Sequence, residues 1–109
     1  MNKIPNDTVI ITDIVGDSLK IMVAGQYLVN KMKSMGFSYS GESMVLAVSD
    51  EQDKDRIISG LINEGAVFLY GHGWYPSEVM EYYKEQGKNF GKYKIIYWTD
   101  ADTYCIEER

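Results

Sequence analysis

Residues 9–25 read VIITDIVGDSLKIMVAG, and the architecture of the whole chain depends on how they fold. The first part, over 8–15, is rich in the β-branched side chains that suit a pleated surface, so it is predicted to be a strand. A glycine and an aspartate follow at 16–17. The chain can continue from there either as a helix or as the second strand of a hairpin.

The helix would begin at Asp17 or Ser18 and continue to about Met35, with Gly36 as its stop signal. Its buried stripe would consist of Ile21, Ala24, Leu28, Met32 and Met35. The hairpin would turn at 16–17 and place alternate apolar side chains of 18–25 on one face. A stripe that persists for four turns favours the helix, which is the prediction here, although Val23 and Gly25 in its interior argue for the hairpin.

Later segments alternate between strand and helix patterns. Strands are predicted over 44–49, 66–71, 94–98 and 103–108, and helices from Asp50 to about Gly65 and from Pro76 or Ser77 to about Gly87. This alternation predicts an α/β fold in one small domain, 1–109, with a mostly parallel sheet, helices flanking both faces and an antiparallel C-terminal edge hairpin. If 18–25 is a strand, the fold becomes α+β with an additional N-terminal hairpin.

The composition restricts the classes of partner. Sixteen acidic and eleven basic side chains give a net charge of −5, which disfavours long nucleic acid and favours a basic protein. No apolar run approaches the ~20 residues of a membrane span, and MNKIPNDTV at 1–9 lacks the apolar segment of a secretory signal. The single cysteine, Cys105, cannot form an internal disulfide and is predicted to be a small core residue. We therefore expect a cytoplasmic protein without a membrane anchor.

Three apolar runs end on a hydroxyl residue followed by an aspartate. They are VIITD (9–13), VLAVSD (45–50) and KIIYWTD (94–100). In a parallel sheet these endings would bring Asp13, Asp50 and Asp100 to one edge, with His72 after the remaining strand. Asp13 and Asp100 could then hold Mg²⁺, with His72 as acid or base, in a phosphoryl-transfer or phosphoester enzyme or a nucleotide-binding domain. Aspartates at strand ends also cap helices and close turns, which is the simpler interpretation.

Aromatic residues are concentrated in the second half of the chain. Eleven of fourteen lie between Phe68 and Tyr104. Tyrosine and tryptophan anchor protein interfaces because they bury much area at little entropic cost. The predicted contact residues, around the loop at 72–78 and the helix after it, are Trp74, Tyr75, Glu78, Tyr82 and Glu85. We therefore predict a small acidic binding or inhibitory module that acts by protein–protein contact and without a cofactor. The magnesium enzyme is the alternative.

Overall fold

A computed structural model describes residues 5–109 of the chain, which form seven strands and three helices. In chain order these are β1 (Thr8–Asp13), β2 (Ser18–Ala24), α1 (Gln26–Ser34), β3 (Ser38–Ser40), β4 (Ser43–Ala47), α2 (Glu51–Asn63), β5 (Val67–Leu69), α3 (Pro76–Glu85), β6 (Lys94–Trp98) and β7 (Tyr104–Glu108). Residues 1–4, part of the segment expected to lack a secretory signal, lie outside the described residues. Between residues 5 and 109, no helix is long and apolar enough to cross a membrane.

The seven strands form one mixed sheet in the order β3-β4-β2-β1-β5-β6-β7. Only the β1–β5 and β5–β6 pairs are parallel, and the other four pairs are antiparallel. The prediction of a mostly parallel sheet is therefore wrong. The α/β character is retained, because helices link strands that run in the same direction. Hairpins supply three of the antiparallel pairs, β1–β2, β3–β4 and β6–β7, and the fourth pair, β2–β4, joins the first two hairpins.

The favoured helix over 18–35 is wrong, and the hairpin alternative forms in its place. Residues Ser18–Ala24 are β2, and only Gln26–Ser34 is helical. As a strand, this segment pairs along both edges, with β1 on one side and β4 on the other, and it sends Leu19 and Ile21 into the core. Gly25 then turns the chain with a φ of 112°, and a Cβ there would approach Asp7 Oδ1 to 2.7 Å. A regular helix through this glycine is thus replaced by a strand, a turn and a short helix.

All three helices pack on the same face of the sheet, which contradicts the predicted cover on both faces. Each helix connects two strands that run in the same direction: β2 to β3, β4 to β5, and β5 to β6. Relative to the strand direction, all three connections advance the same way across the sheet. Because such crossovers share a right-handed sense, they place their helices on one side.

The main core lies between the sheet and this helix layer. Buried side chains from the strands meet those of the helices there; among them are Val9, Ile11, Phe68 and Ile95 from strands and Met32, Ile58, Leu61 and Met80 from helices. On the opposite side of the sheet, Ile10, Val67 and Ile96 form a second, smaller cluster with Leu69 and Trp98. No helix residue belongs to that cluster. We call this side the open face.

The prediction of a buried cysteine is wrong, because Cys105 is exposed. It lies on β7, whose five residues are all exposed. β7 is the last strand of the sheet, so only one of its edges is paired.

Candidate functional site: an acidic groove beside α3

A groove of about 650 Å³ lies between α3, the β1–β2 turn and the loop from β5 to α3. We call it the acidic groove. Its lining residues are Val15, Gly16, Gly73, Trp74, Glu78, Val79, Glu81, Tyr82, Tyr83 and Glu85. Three of them are glutamates and three are aromatic, and no lysine, arginine or histidine lines the groove among residues 5–109. The groove therefore combines negative charge with aromatic surface.

The helix α3 presents three of these side chains in a row. Pro76 starts the helix, because its fixed φ suits the first helical position. Val79 and Met80 face the core, which turns Glu78, Tyr82 and Glu85 toward the groove. Residues spaced by three or four lie above one another on a helix, and seven residues advance about 10 Å along the axis. The groove therefore offers two carboxylates about 10 Å apart with an aromatic ring between them.

The loop before α3 is anchored by contacts at Gly71 and exposes Trp74. The ring of Tyr75 packs so closely over Gly71 that any Cβ at that position would collide with it. The Ser77 hydroxyl accepts a hydrogen bond from the Gly71 N–H at 3.1 Å and donates to the Gly71 carbonyl at 3.2 Å. Trp74, between these fixed points, leaves 78 % of its surface exposed. A large apolar ring held open by an ordered loop is typical of a binding surface.

The β1–β2 turn on the other side of the groove is fastened by a buried lysine. Lys54 lies in the first part of α2, and its Nζ donates to the Gly16 carbonyl at 2.7 Å. Burial lowers the pKa of Lys54, and the nearby carboxylates of Asp13 and Asp17 partly offset this effect. Because Gly16 lines the groove, the lysine is a positioning residue for that wall. The sequence analysis did not identify it.

A pattern in the sequence could have identified this lysine. Lys54, Ile58 and Leu61 are the buried residues of α2, and they follow the i, i+4, i+7 spacing of a helix stripe. A lysine at the first position of such a stripe must bury most of its stem. It therefore needs a polar partner close to the core.

Tyr83, another lining residue of the groove, packs against an ion cluster that joins α2 to the segment after α3. The Lys88 ammonium lies 2.7 Å from Glu51 Oε1 and 2.9 Å from Asp55 Oδ1. The same ammonium lies 4.8 Å from the centre of the Tyr83 ring, a cation–π contact. Burial raises the pKa of the Tyr83 hydroxyl. These contacts orient the Tyr83 ring, which lines the groove.

Glu81 is the one groove carboxylate that is already engaged from inside the protein. The buried Tyr93 hydroxyl donates to Glu81 Oε1 at 3.0 Å, and Arg109 Nη1 lies 3.6 Å from the same oxygen. Burial of the ring, together with this hydrogen bond, raises the pKa of Tyr93 to about 12. Glu85, by contrast, makes no ion pair or hydrogen bond with any side chain of the described part of the chain. It is free to meet an incoming cation.

Four of the five contact residues expected from the sequence lie in this groove. They are Trp74, Glu78, Tyr82 and Glu85. The fifth, Tyr75, lies just outside and forms the support of the loop, with 49 % of its surface exposed. The fold therefore brings these side chains together in one groove, whereas the sequence showed only that they lie close to one another along the chain.

Two of the three strand-end aspartates serve local turns. Asp50 is the N-cap of α2, and its Oδ1 accepts from the Asp53 N–H at 2.9 Å. Asp100 Oδ1 accepts from the N–H groups of Asp102 and Thr103, each at 2.9 Å, within the β6–β7 turn. The hydrogen bond from Asp102 is the main reason that the pKa of Asp100 lies below its usual value. Both carboxylates do what capping and turn chemistry requires.

The residues of the magnesium alternative lie apart along the sheet edge. Asp13 Oδ1 accepts from the Val15 N–H at 3.1 Å. β5 separates β1 from β6, which puts Asp13 and Asp100 two strand spacings, or ~10 Å, apart across the sheet, and the strand register puts Asp100 three residues, or ~10 Å, further along the strand direction. Within residues 5–109, no three histidine, cysteine, aspartate or glutamate side chains come close enough together to hold a metal ion. The metal-dependent activity stays a prediction.

His72, the proposed acid or base of that alternative, belongs to the loop beside the acidic groove. Its side chain is 83 % exposed, and its Nδ1 lies 3.5 Å from Glu78 Oε2. The imidazole also packs edge-on against the Tyr70 ring, with 5.7 Å between the ring centres. Its nearest acidic partner is thus a groove residue.

Comparison of the chain with protein-family models, with curated proteins and with solved structures finds no match in any of the three. What the protein binds is therefore inferred from its own side chains.

Proposed function

We propose that this protein is a small acidic binding module whose groove receives a positively charged segment of another protein. By binding there, the module would cover that segment and so inhibit the partner protein to which the segment belongs. The observation that carries the proposal is the lining of the acidic groove, which among residues 5–109 consists of three glutamates, three aromatic rings and small or apolar residues; the basic side chains nearby, Arg109, His72 and Lys88, contact the lining but are not part of it. The partner expected from this chemistry is a cytoplasmic protein with exposed lysine or arginine side chains.

The aromatic rings give the groove a preference for cations beyond simple charge attraction. A guanidinium or ammonium over a tryptophan face gains about 0.5–2 kcal/mol, most when water is excluded. Trp74 offers such a face at the rim, and Tyr82 offers another midway along α3. Arginine stacks on such rings and also pairs with carboxylates through its planar fork, so it fits this lining better than lysine does.

The dimensions of the groove match a short extended segment. The carboxylates of Glu78 and Glu85 lie about 10 Å apart along the helix. An extended chain advances about 3.3 Å per residue, and its side chains at i, i+2 and i+4 share one face, so two basic side chains two or four residues apart, about 7 or 13 Å, would bracket this spacing and reach the carboxylates with their long stems. Glu85 and Glu78 would each meet one cation, and the ring of Tyr82 would pack against the stem between them.

Titration of a fluorescently labelled hexa-arginine peptide, followed by anisotropy at low and moderate salt, tests the proposal. Trp74→Ala is expected to weaken binding about tenfold, because it removes one cation–π face. Tyr27→Ala is the matched control, because Tyr27 is 71 % exposed but lies on α1. It should leave the affinity within twofold.

A charge-matched pair separates groove binding from general attraction to an acidic protein. Glu85→Gln removes a carboxylate from the groove, whereas Glu42→Gln removes one from the β3–β4 turn. We expect about a fivefold loss of affinity for the first and less than twofold for the second, in line with a partly exposed ion pair. Equal losses in both variants would show that the peptide responds only to net charge, and the proposal would then fail.

A further inference from the structure

Among residues 5–109, no free strand edge lines the acidic groove. Its walls are α3, the β1–β2 turn and the loop from β5 to α3. β1, β2 and β5 are each paired on both sides within the sheet, and the free edges belong to β3 and β7 at its two ends. The backbone of α3 is hydrogen-bonded within the helix. A segment bound in the groove would therefore contact side chains, and its own N–H groups would gain no strand ladder there.

The spacing of two groove carboxylates matches one turn of a polyproline II helix. Glu78 and Glu85 lie on one side of α3, about 10 Å apart along its axis. A polyproline II helix has three residues per turn and rises about 3.1 Å per residue, so side chains at i and i+3 share one face about 9 Å apart. On one face of a β-strand the spacing is instead about 7 or 13 Å. The polyproline II conformation therefore brings two cations opposite the two carboxylates with the least adjustment.

The aromatic side chains beside these carboxylates are accessible to a bound segment. Tyr82 follows Glu78 by one helical turn and is 56 % exposed, and Trp74 at the rim is largely exposed. Grooves lined by such rings bind proline-rich segments in the preformed polyproline II conformation. The Trp74 indole N–H and the Tyr82 hydroxyl can also donate hydrogen bonds to the carbonyls that this conformation leaves unpaired.

Proline suits the groove for two further reasons. It lacks the backbone N–H, which is the group for which the groove offers no strand ladder. Its φ is also fixed before binding, so a proline-rich segment loses less conformational freedom than a flexible one when it is bound. Both effects favour proline at the positions between the two cations.

We propose that the acidic groove binds a proline-rich segment in the polyproline II conformation, with two arginines three residues apart. This inference rests on the proposed function of the groove and defines the partner segment more narrowly. One arginine would pair with Glu78 and the other with Glu85, while the prolines between them pack on Tyr82. Arginine fits because its guanidinium pairs with carboxylates through two parallel hydrogen bonds and stacks on aromatic rings.

Anisotropy titration of the full chain with three labelled octapeptides of equal charge tests this proposal. The first is octaproline with arginines at its third and sixth positions. The second has the same composition, with arginines at its third and fifth positions. The third is the first peptide with every proline replaced by alanine. The first should bind at least about fivefold more tightly than either of the others, because only it combines the matching spacing with a preformed backbone.

Two pairs of variants test whether these preferences arise in the groove. Glu85→Gln should reduce the preference for the first peptide over the second to less than about twofold, whereas Glu42→Gln in the β3–β4 turn should retain it. Tyr82→Ala should likewise reduce the preference for proline over alanine, and Tyr27→Ala on α1 should retain it. All four side chains are exposed, and circular dichroism shows whether each variant is folded.

The outcomes separate this inference from the proposed function. If the three peptides bind equally, and Glu85→Gln weakens all of them while Glu42→Gln does not, the polyproline inference fails and cation binding in the groove stands. If neither these peptides nor hexa-arginine binds, both proposals fail. A spacing preference that persists in Glu85→Gln would also overturn the inference, because the two arginines would then be recognised elsewhere.

Discussion

The hydrogen bond between Tyr93 and Glu81 predicts that the protein loses stability at alkaline pH. Tyr93 is almost completely buried, and its hydroxyl donates to the Glu81 carboxylate at 3.0 Å. The fold raises the pKa of Tyr93 from 10.0 to about 12. The stability that comes from this raised pKa is fully present below pH 10. It is lost as the pH rises from 10 through 12, because the unfolded chain ionises first.

The magnitude follows from the shift in pKa. A rise of two pKa units corresponds to at most about 2.7 kcal/mol in the free energy of unfolding. The Glu81 side chain is 44 % exposed, so solvent screening reduces this to about 1–2 kcal/mol. At neutral pH, Tyr93→Phe loses one hydrogen bond to a charged acceptor. Water can replace it at the exposed carboxylate, so we expect a loss of about 1 kcal/mol in the free energy of unfolding.

Urea unfolding of wild type and Tyr93→Phe at pH 7 and pH 11 measures both effects. The variant should be less stable at pH 7, and the difference should vanish or change sign at pH 11, because only the wild type loses the contribution of the Tyr93 hydroxyl. Tyr27→Phe, on the exposed surface of α1, is the control and should match wild type at both values. A stability difference that stays constant between pH 7 and pH 11 would refute the reasoning.

Three further predictions concern the loop, the helix cap and the metal alternative. Gly71→Ala should lower the free energy of unfolding by about 2 kcal/mol and weaken peptide binding at the groove, because the new Cβ displaces the Tyr75 ring. Urea unfolding measures the first effect and peptide anisotropy the second. An unchanged affinity would show that the loop does not shape the groove. Asp50→Ala should lower the free energy of unfolding, measured in urea, by about 1 kcal/mol, because it removes the N-cap of α2. Asp50→Asn should lower it much less, because asparagine is also a good N-cap residue. Equal losses in the two variants would contradict the N-cap role. Millimolar Mg²⁺ should leave the melting temperature unchanged if Asp13 serves only the turn, whereas a saturable rise that disappears in Asp13→Asn would establish an ion site there.

That Glu78, Tyr82 and Glu85 lie on one face of α3 could be predicted because helical spacing is a local property, while their role as contact residues stays a prediction. Pro76 marks the start of α3, and from there Glu78, Tyr82 and Glu85 follow the periodicity of one helix face. Lys54 was not predicted, although it holds the opposite wall of the groove. Its partner is the Gly16 carbonyl, 38 residues away in sequence, and only the folded chain brings the two together.

The role of the strand-end aspartates also depends on contacts between residues far apart in the sequence. Their sequence context fits both a metal site and a set of turns, and local chemistry makes the turn role available to each of them. Whether Asp13 and Asp100 converge depends on strand order. The insertion of β5 between β1 and β6, together with the position of Asp100 three residues further along the strand direction, keeps them about 14 Å apart.

Local patterns were sufficient for the short-range features of this protein: the strand character of β1 and β6, the cap and stripe of α2, the start of α3 and the acidic, aromatic character of its exposed face. Each of these depends on residues within a few positions of one another. The fate of 18–35 was different, because its helix stripe and its strand alternation were nearly equal in strength. Pairing with both β1 and β4 selected the strand, since a strand in the middle of a sheet satisfies its backbone hydrogen bonds along both edges and buries Leu19 and Ile21 as well. That choice, together with the common handedness of the crossovers, left one face of the sheet without helices, and long-range pairing of this kind cannot be derived from local periodicity.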